Sequence, residues 1–168
     1  MDRPGEIVDV FLRPGDFCFG DSTTRIRTLL GSCVSITVWH PHLHIGGMCH
    51  YMLPSRKKSD SKLDGRYADD AMKFLIHKMK QSGTLPVEYE VKMFGGGNMF
   101  PHLNWPAQTD VSSRNIERGR QLLKEYGLLL KAEHLGGYGH RRLIFDIWSG
   151  HVQVRHDREQ ELLAGKRG

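Results

Sequence analysis

Cys33 and His50 are the residues of this chain best suited to covalent chemistry. A thiolate is a strong nucleophile, but a thiol with an ordinary value of about 8.5 is only a few per cent ionised at neutral pH and needs a base beside it. The run Gly31-Ser32-Cys33 puts the thiol on a tight turn just ahead of a β-branched run, Val34 to Val38. His50 follows seventeen positions after the cysteine, beyond a loop and the pair Gly46-Gly47. Two adjacent strands joined by that loop would set the imidazole near the sulfur, and the glycines at 31, 46 and 47 allow close backbone approach. The N–H groups of the turn around Gly31, Ser32 and Cys33 are placed to serve as an oxyanion hole. On pattern alone, a cysteine ahead of an apolar strand is more often a packed core thiol than a nucleophile. Cys18 and Cys49 read as core thiols.

Two other constellations invite chemistry and do not support it. His40, His42 and His44 alternate as metal ligands on a strand do, but Pro41 interrupts the strand and no carboxylate or cysteine stands at a matching spacing. They read as surface residues, with no metal. Gly95-Gly96-Gly97 follows a strand as a phosphate loop does, yet lacks the Gly-Lys-Ser/Thr ending, and the residues after it do not open a helix. No nucleotide or other cofactor is expected.

The elements that must position these residues are legible in outline. Residues 6–12 alternate as a first strand, Pro14-Gly15-Asp16 turns, and 15–19 continue extended. Gly20 to Arg27 is polar and reads as a loop. Val34 to Trp39 is a strand, with 44–52 returning antiparallel to it. Ser55 to Arg66 reads as a mobile hydrophilic loop beside the site. Tyr67 to Met79 has helical periodicity, stopped by Gly83 and Pro86; Val87 to Phe94 alternates as a strand. Asp110 to Ser113 offers caps for a second helix with Ile116, Leu122, Leu123 and Tyr126 inward, ended by Gly127. Leu128 to Leu135 reads as a strand, and residues 142–155 as a hairpin turning at Ser149-Gly150. The expected fold class is therefore an α/β (α+β) layered sandwich, a mixed β-sheet core flanked by two main helices.

A chain of 168 residues, 39% hydrophobic and 26% charged, suits one domain over 1–168 with a charged tail from about residue 156. No apolar run is long enough to span a bilayer, and the N-terminus lacks the apolar core of a signal peptide, so a cytoplasmic protein is expected. Three cysteines, an odd number, argue against a disulfide framework. The net charge of +5 comes without a nucleic-acid-binding motif, so no nucleic-acid partner is expected; an acidic protein partner suits it.

Several stretches together carry a resemblance. They are LLGSCVSITVWHP at 29–41, GGMCHYMLP at 46–54, RYADDAM at 66–72, KMFGGGNMF at 92–100, SRNIERG at 113–119, and Gly136-Gly137 with Arg141. In order and spacing the chain resembles the CheD-type chemoreceptor glutamine deamidases over roughly residues 7 to 155. The resemblance implies a cysteine-dependent protein-glutamine glutaminase acting on methyl-accepting chemotaxis receptors, with Cys33 as nucleophile and His50 as base. It implies Thr28 as the third catalytic residue, with Arg27 in the alternative position. Some members also bind a CheC-type phosphatase, which implies a regulatory binding role as the alternative. Cys49, beside the base, raises the question of a Cys33–Cys49 disulfide.

Overall fold

The computed structural model describes residues 1–57, 62–103, 106 and 110–157. Among the described residues, nine strands form two sheets. The four-stranded sheet takes β1 (Val8–Leu12), β3 (Thr24–Leu30), β8 (His140–Asp146) and β9 (His151–Asp157), in the order β1-β3-β8-β9. The five-stranded sheet takes β2 (Phe17–Gly20), β4 (Val34–His40), β5 (Ile45–Cys49), β6 (Glu90–Gly95) and β7 (Leu130–Leu135), in the order β2-β5-β4-β6-β7. Each sheet is mixed: β1 runs parallel to β3, and β6 parallel to β7. Helices α1 (Ala68–Gln81) and α2 (Val111–Glu125) cover one face of the five-stranded sheet. The layered α+β class therefore holds, with the strands divided between two stacked sheets.

Each layer is dictated by alternation. Val34, Ile36 and Val38 of β4 point to the helices, where they meet Met72, Leu75 and Met79 of α1. Met48 and Phe94 point the other way, against Leu12, Ile26, Leu143 and Phe145 of the four-stranded sheet. Helix α2 starts where its cap predicts, the Asp110 side chain accepting from Ser112 N–H. Gly127 takes φ 71 just past its end, the left-handed stop that glycine allows.

Three expectations change. Residues 24–27 are strand, not loop: β3 alternates Thr24, Ile26 and Thr28 inward with Arg25 and Arg27 outward, where they pair with Asp146 and Asp9 on neighbouring strands. Those partners neutralise the polar face that made the stretch look like a connection. Residues 86–88 form a 3₁₀ turn, because Pro86 fixes helical φ and Glu88 accepts from Leu85 N–H; the strand begins only at Glu90. His40 is buried rather than at the surface. Its Nδ1 accepts from the N–H groups of His42 and Leu43, and its ring stands edge-on to Tyr89 at 5.3 Å.

Within the 55–66 loop, residues 58–61 lie outside the described residues, and Arg56 pairs with Asp70 of α1 at 2.9 Å. Of the charged tail, His156 and Asp157 belong to β9 and the rest lies outside the described residues. No described helix is long and apolar enough to cross a membrane. Phe145 is fully buried between the sheets, so Phe145→Ala should cost about 3–5 kcal/mol, read from urea unfolding midpoints.

Candidate active site

The proposed residues gather where the chain passes from one sheet to the other. Gly31-Ser32-Cys33 is the crossing from β3 to β4, and Arg13 to Asp16 the crossing from β1 to β2. The second crossing is tied to His50 through its backbone: Gly15 N–H donates to His50 C=O, and His50 N–H to Asp16 C=O. His50 stands just beyond β5 and is 2% exposed.

Register puts the thiol and imidazole on one face. Val34 and Tyr51 exchange both backbone hydrogen bonds, extending the antiparallel register in which Thr37 faces Met48. In that register Cys33 lies opposite Met52 and Ser35 opposite His50. Cys33 and His50 are thus diagonal neighbours, a relation that sets Cα atoms roughly 7–8 Å apart with the side chains closer. Both face the four-stranded sheet, while Val34, Cys49 and Tyr51 face the helices. Cys49 therefore lies on the opposite side of the sheet from Cys33, which rules out the disulfide between them, and all three cysteines are free.

Thr28 reaches across the layer between the sheets. Its Oγ1 lies 2.8 Å from Leu12 C=O and 2.7 Å from His50 Nδ1. A carbonyl only accepts, so the hydroxyl proton goes to Leu12, and the hydroxyl oxygen must accept from His50 Nδ1–H. The proton is thereby held on Nδ1, and Nε2 keeps its lone pair. Among the described residues Nε2 has no hydrogen-bond partner, as expected of a base awaiting a proton. Arg27, the alternative third residue, points outward to Asp9 and takes no part.

Burial sets the resting charge state. It pushes the Cys33 thiol up and pulls the His50 imidazole down to about 4, the latter against a smaller opposing pull from Asp16. At neutral pH the site therefore holds a neutral thiol and a neutral imidazole on one face. Cys49, wholly buried, is pushed up to about 12 and is inert as a nucleophile.

Other residues shape the turn in a role that the sequence does not show, although most of them lie in the stretches that carry the resemblance. The glycine run after β6 is a brace: Gly96 N–H donates to Cys33 C=O at 2.8 Å and Gly97 N–H to Gly31 C=O at 2.9 Å. A Cβ on Gly95, which has φ 111, would collide with Cys33 C=O. Arg141 is almost fully buried; it donates to the carbonyls of Gly95 and Gly136 and to His134 Nδ1, tying the two glycine loops together. Ser35, facing His50, has a buried Oγ without a partner among the described residues. Gly46 and Gly47 lie inside β5, not at the site. No group of three or more potential metal ligands comes together among the described residues.

A half-buried cysteine at a braced turn, on the same face as an imidazole oriented by a hydroxyl, is an arrangement that suits cysteine-dependent acyl chemistry. The chain belongs to the family described as CheD chemotactic sensory transduction, whose model matches residues 52–156. That segment contains Asn115 and Arg141 but starts just after His50. Curated relatives extend the likeness over the rest. A protein of Pseudomonas savastanoi pv. phaseolicola named "Probable chemoreceptor glutamine deamidase CheD" is 50% identical over 157 residues, covering 93% of this chain and 89% of that one. One of Dechloromonas aromatica, named "Probable chemoreceptor glutamine deamidase CheD 3", is 52% identical over 152 residues, covering 89% and 88%.

The depressed His50 value has a consequence for stability. Unfolded, the imidazole titrates near 6.5; folded, it stays neutral down to about 4. Between those values the unfolded chain binds a proton that the folded chain does not, so stability is full above pH 6.5 and falls as pH drops. The loss is complete below pH 4 and on the order of 3 kcal/mol. Urea midpoints at pH 7.5 and 4.5 should show a smaller acid loss in His50→Gln than in the wild type.

Proposed function

We propose that this protein deamidates glutamine side chains of chemotaxis receptors, converting Gln to Glu with release of ammonia. The observation that carries this reading is the Thr28–His50 hydrogen bond on the face Cys33 shares. The names of the relatives supply the substrate class. The family resemblance implies glutamines on the cytoplasmic helical part of the receptors, and we infer a reaction in the cytoplasm from it.

The mechanism follows from the neutral resting pair. Substrate enters against the Cys33 turn, and His50 Nε2 takes the thiol proton as Sγ attacks the carboxamide carbon. The carbonyl oxygen becomes an oxyanion, stabilised by the N–H groups of the turn at Ser32 and Cys33. The imidazolium then protonates the departing nitrogen, which leaves as ammonia, and a thioester remains on Cys33. Water, deprotonated by His50, attacks the thioester carbonyl; the C–S bond breaks, the sulfur regains its proton, and Glu is released. Thr28 accepts from Nδ1–H throughout and stabilises the imidazolium that forms twice per turnover.

Receptor cytoplasmic fragments incubated with each variant, read by mass spectrometry of their peptides, test this. Cys33→Ala and His50→Ala should give no conversion above the uncatalysed rate. Thr28→Val should lower kcat roughly 10–100-fold, while Thr28→Ser, which keeps the hydroxyl, should restore most of it. Conversion that persists in Cys33→Ala would exclude the cysteine as nucleophile. With the imidazole depressed to about 4, the acid limb of kcat/KM against pH is expected near that value, well below the ordinary histidine range.

A further inference from the structure

Asn115 stands on α2, is 0% exposed, and is spent on two carbonyls that flank the proposed pair. Its Nδ2 donates to Ser32 C=O at 3.2 Å and to Met52 C=O at 3.0 Å. Both neighbours can only accept, so the amide orientation is unambiguous: Nδ2 faces them, and Oδ1 faces away. Oδ1 is buried with no partner among the described residues. An unpaired buried oxygen is a stability cost that an apolar side chain on the same helix face would avoid. The helix is already tied here without the carboxamide, since Tyr51 Oη donates to Asn115 C=O at 2.6 Å.

What the carboxamide adds is the orientation of one peptide plane. In a trans peptide the C=O and the following N–H point in opposite directions. Holding Ser32 C=O towards α2 therefore aims Cys33 N–H away from the helix. The flanking planes are held by backbone alone, Gly31 C=O by Gly97 N–H and Cys33 C=O by Gly96 N–H. With all three carbonyls of the turn occupied, the N–H groups of Ser32 and Cys33 donate to no acceptor among the described residues. Asn115 is the side chain in this set that fixes the Ser32–Cys33 plane.

We propose that Asn115 is a positioning residue that aims the Cys33 N–H at the oxyanion of the deamidation reaction, an inference that rests on the reading of Cys33 as nucleophile. Its bond to Met52 C=O anchors the carboxamide itself, while His50 is held independently by its backbone bonds to Gly15 N–H and Asp16 C=O. The role concerns stabilisation of the tetrahedral intermediate and neither the reactivity of the thiol nor the binding of the receptor.

Two reactions of Cys33 separate this role from a merely structural one. Deamidation builds an oxyanion; alkylation by iodoacetamide displaces iodide from a saturated carbon and builds none. The full chain is compared as wild type, N115L, N115D and C33A, with receptor cytoplasmic fragments for deamidation and peptide mapping for alkylation at Cys33. In N115L we expect kcat to fall about 10–100-fold, with KM and the alkylation rate within about threefold of wild type. A kcat within about threefold of wild type overturns the proposal, as does a parallel loss of kcat and alkylation. N115D keeps the shape and tests the point if N115L does not fold. Its carboxyl donates only while protonated, so its kcat should fall with rising pH where that of the wild type does not, and an unchanged profile overturns the proposal. Deamidation that persists in C33A refutes the functional reading itself, whatever the Asn115 variants do.

Discussion

A single hydroxyl proton sets the tautomer of the imidazole at this site. Thr28 Oγ1 has one proton to give, and Leu12 C=O, which can only accept, takes it. The oxygen is left to accept from His50 Nδ1, and the imidazole is thereby held as the tautomer whose free lone pair sits on Nε2. A carboxylate in that place would hold the same tautomer and add charge to a layer that contains Ile26, Met48 and Phe145. The hydroxyl does so without importing a buried ion, consistent with an imidazole that stays neutral at physiological pH.

That hydrogen bond depends on the architecture around it. Thr28 belongs to the four-stranded sheet and His50 follows a strand of the five-stranded one, so the bond forms only when the sheets stack in register. Leu12 faces Thr28 because β1 and β3 run parallel, which brings the β1 carbonyl within reach of the hydroxyl. Both chain crossings, at 13–16 and 31–33, then meet at the His50 end of the layer. The glycines after β6 complete the arrangement: a side chain at Gly95 would collide with the Cys33 carbonyl, and one at Gly97 would lie 2.5 Å from Gly139 C=O. The run reads as an incomplete phosphate loop and acts as a backbone brace.

The local signals and the fold agree wherever the partner of a residue is near in sequence. Strand β4, the antiparallel return of β5, both helices and the final hairpin are visible as periodicity and turn chemistry. Strand β3 is not, because Arg25 and Arg27 look like loop residues until Asp146 and Asp9 arrive from distant strands. The division into two sheets is invisible for the same reason: alternation says which side chains are buried, not against what. Cys33, His50 and Thr28 stand out through residue type and the family resemblance. Asn115, Arg141 and the glycine brace lie in stretches that carry the resemblance, yet their role is not legible there, since it lies in which carbonyls they meet. Glycine announces a close approach without saying what approaches.

The central claim is that Thr28 holds the proton of His50 on Nδ1 and leaves Nε2 to act as base. Long-range proton–nitrogen NMR of the ¹⁵N-histidine-labelled protein, with His50 assigned through His50→Gln, reads this directly. The account expects a neutral ring protonated at Nδ1 at pH 7, unchanged down to about pH 5 and titrating near 4. In Thr28→Val the preference for that tautomer should be lost. A ring protonated at Nε2 in the wild type, or one titrating near the ordinary 6.5, would contradict it.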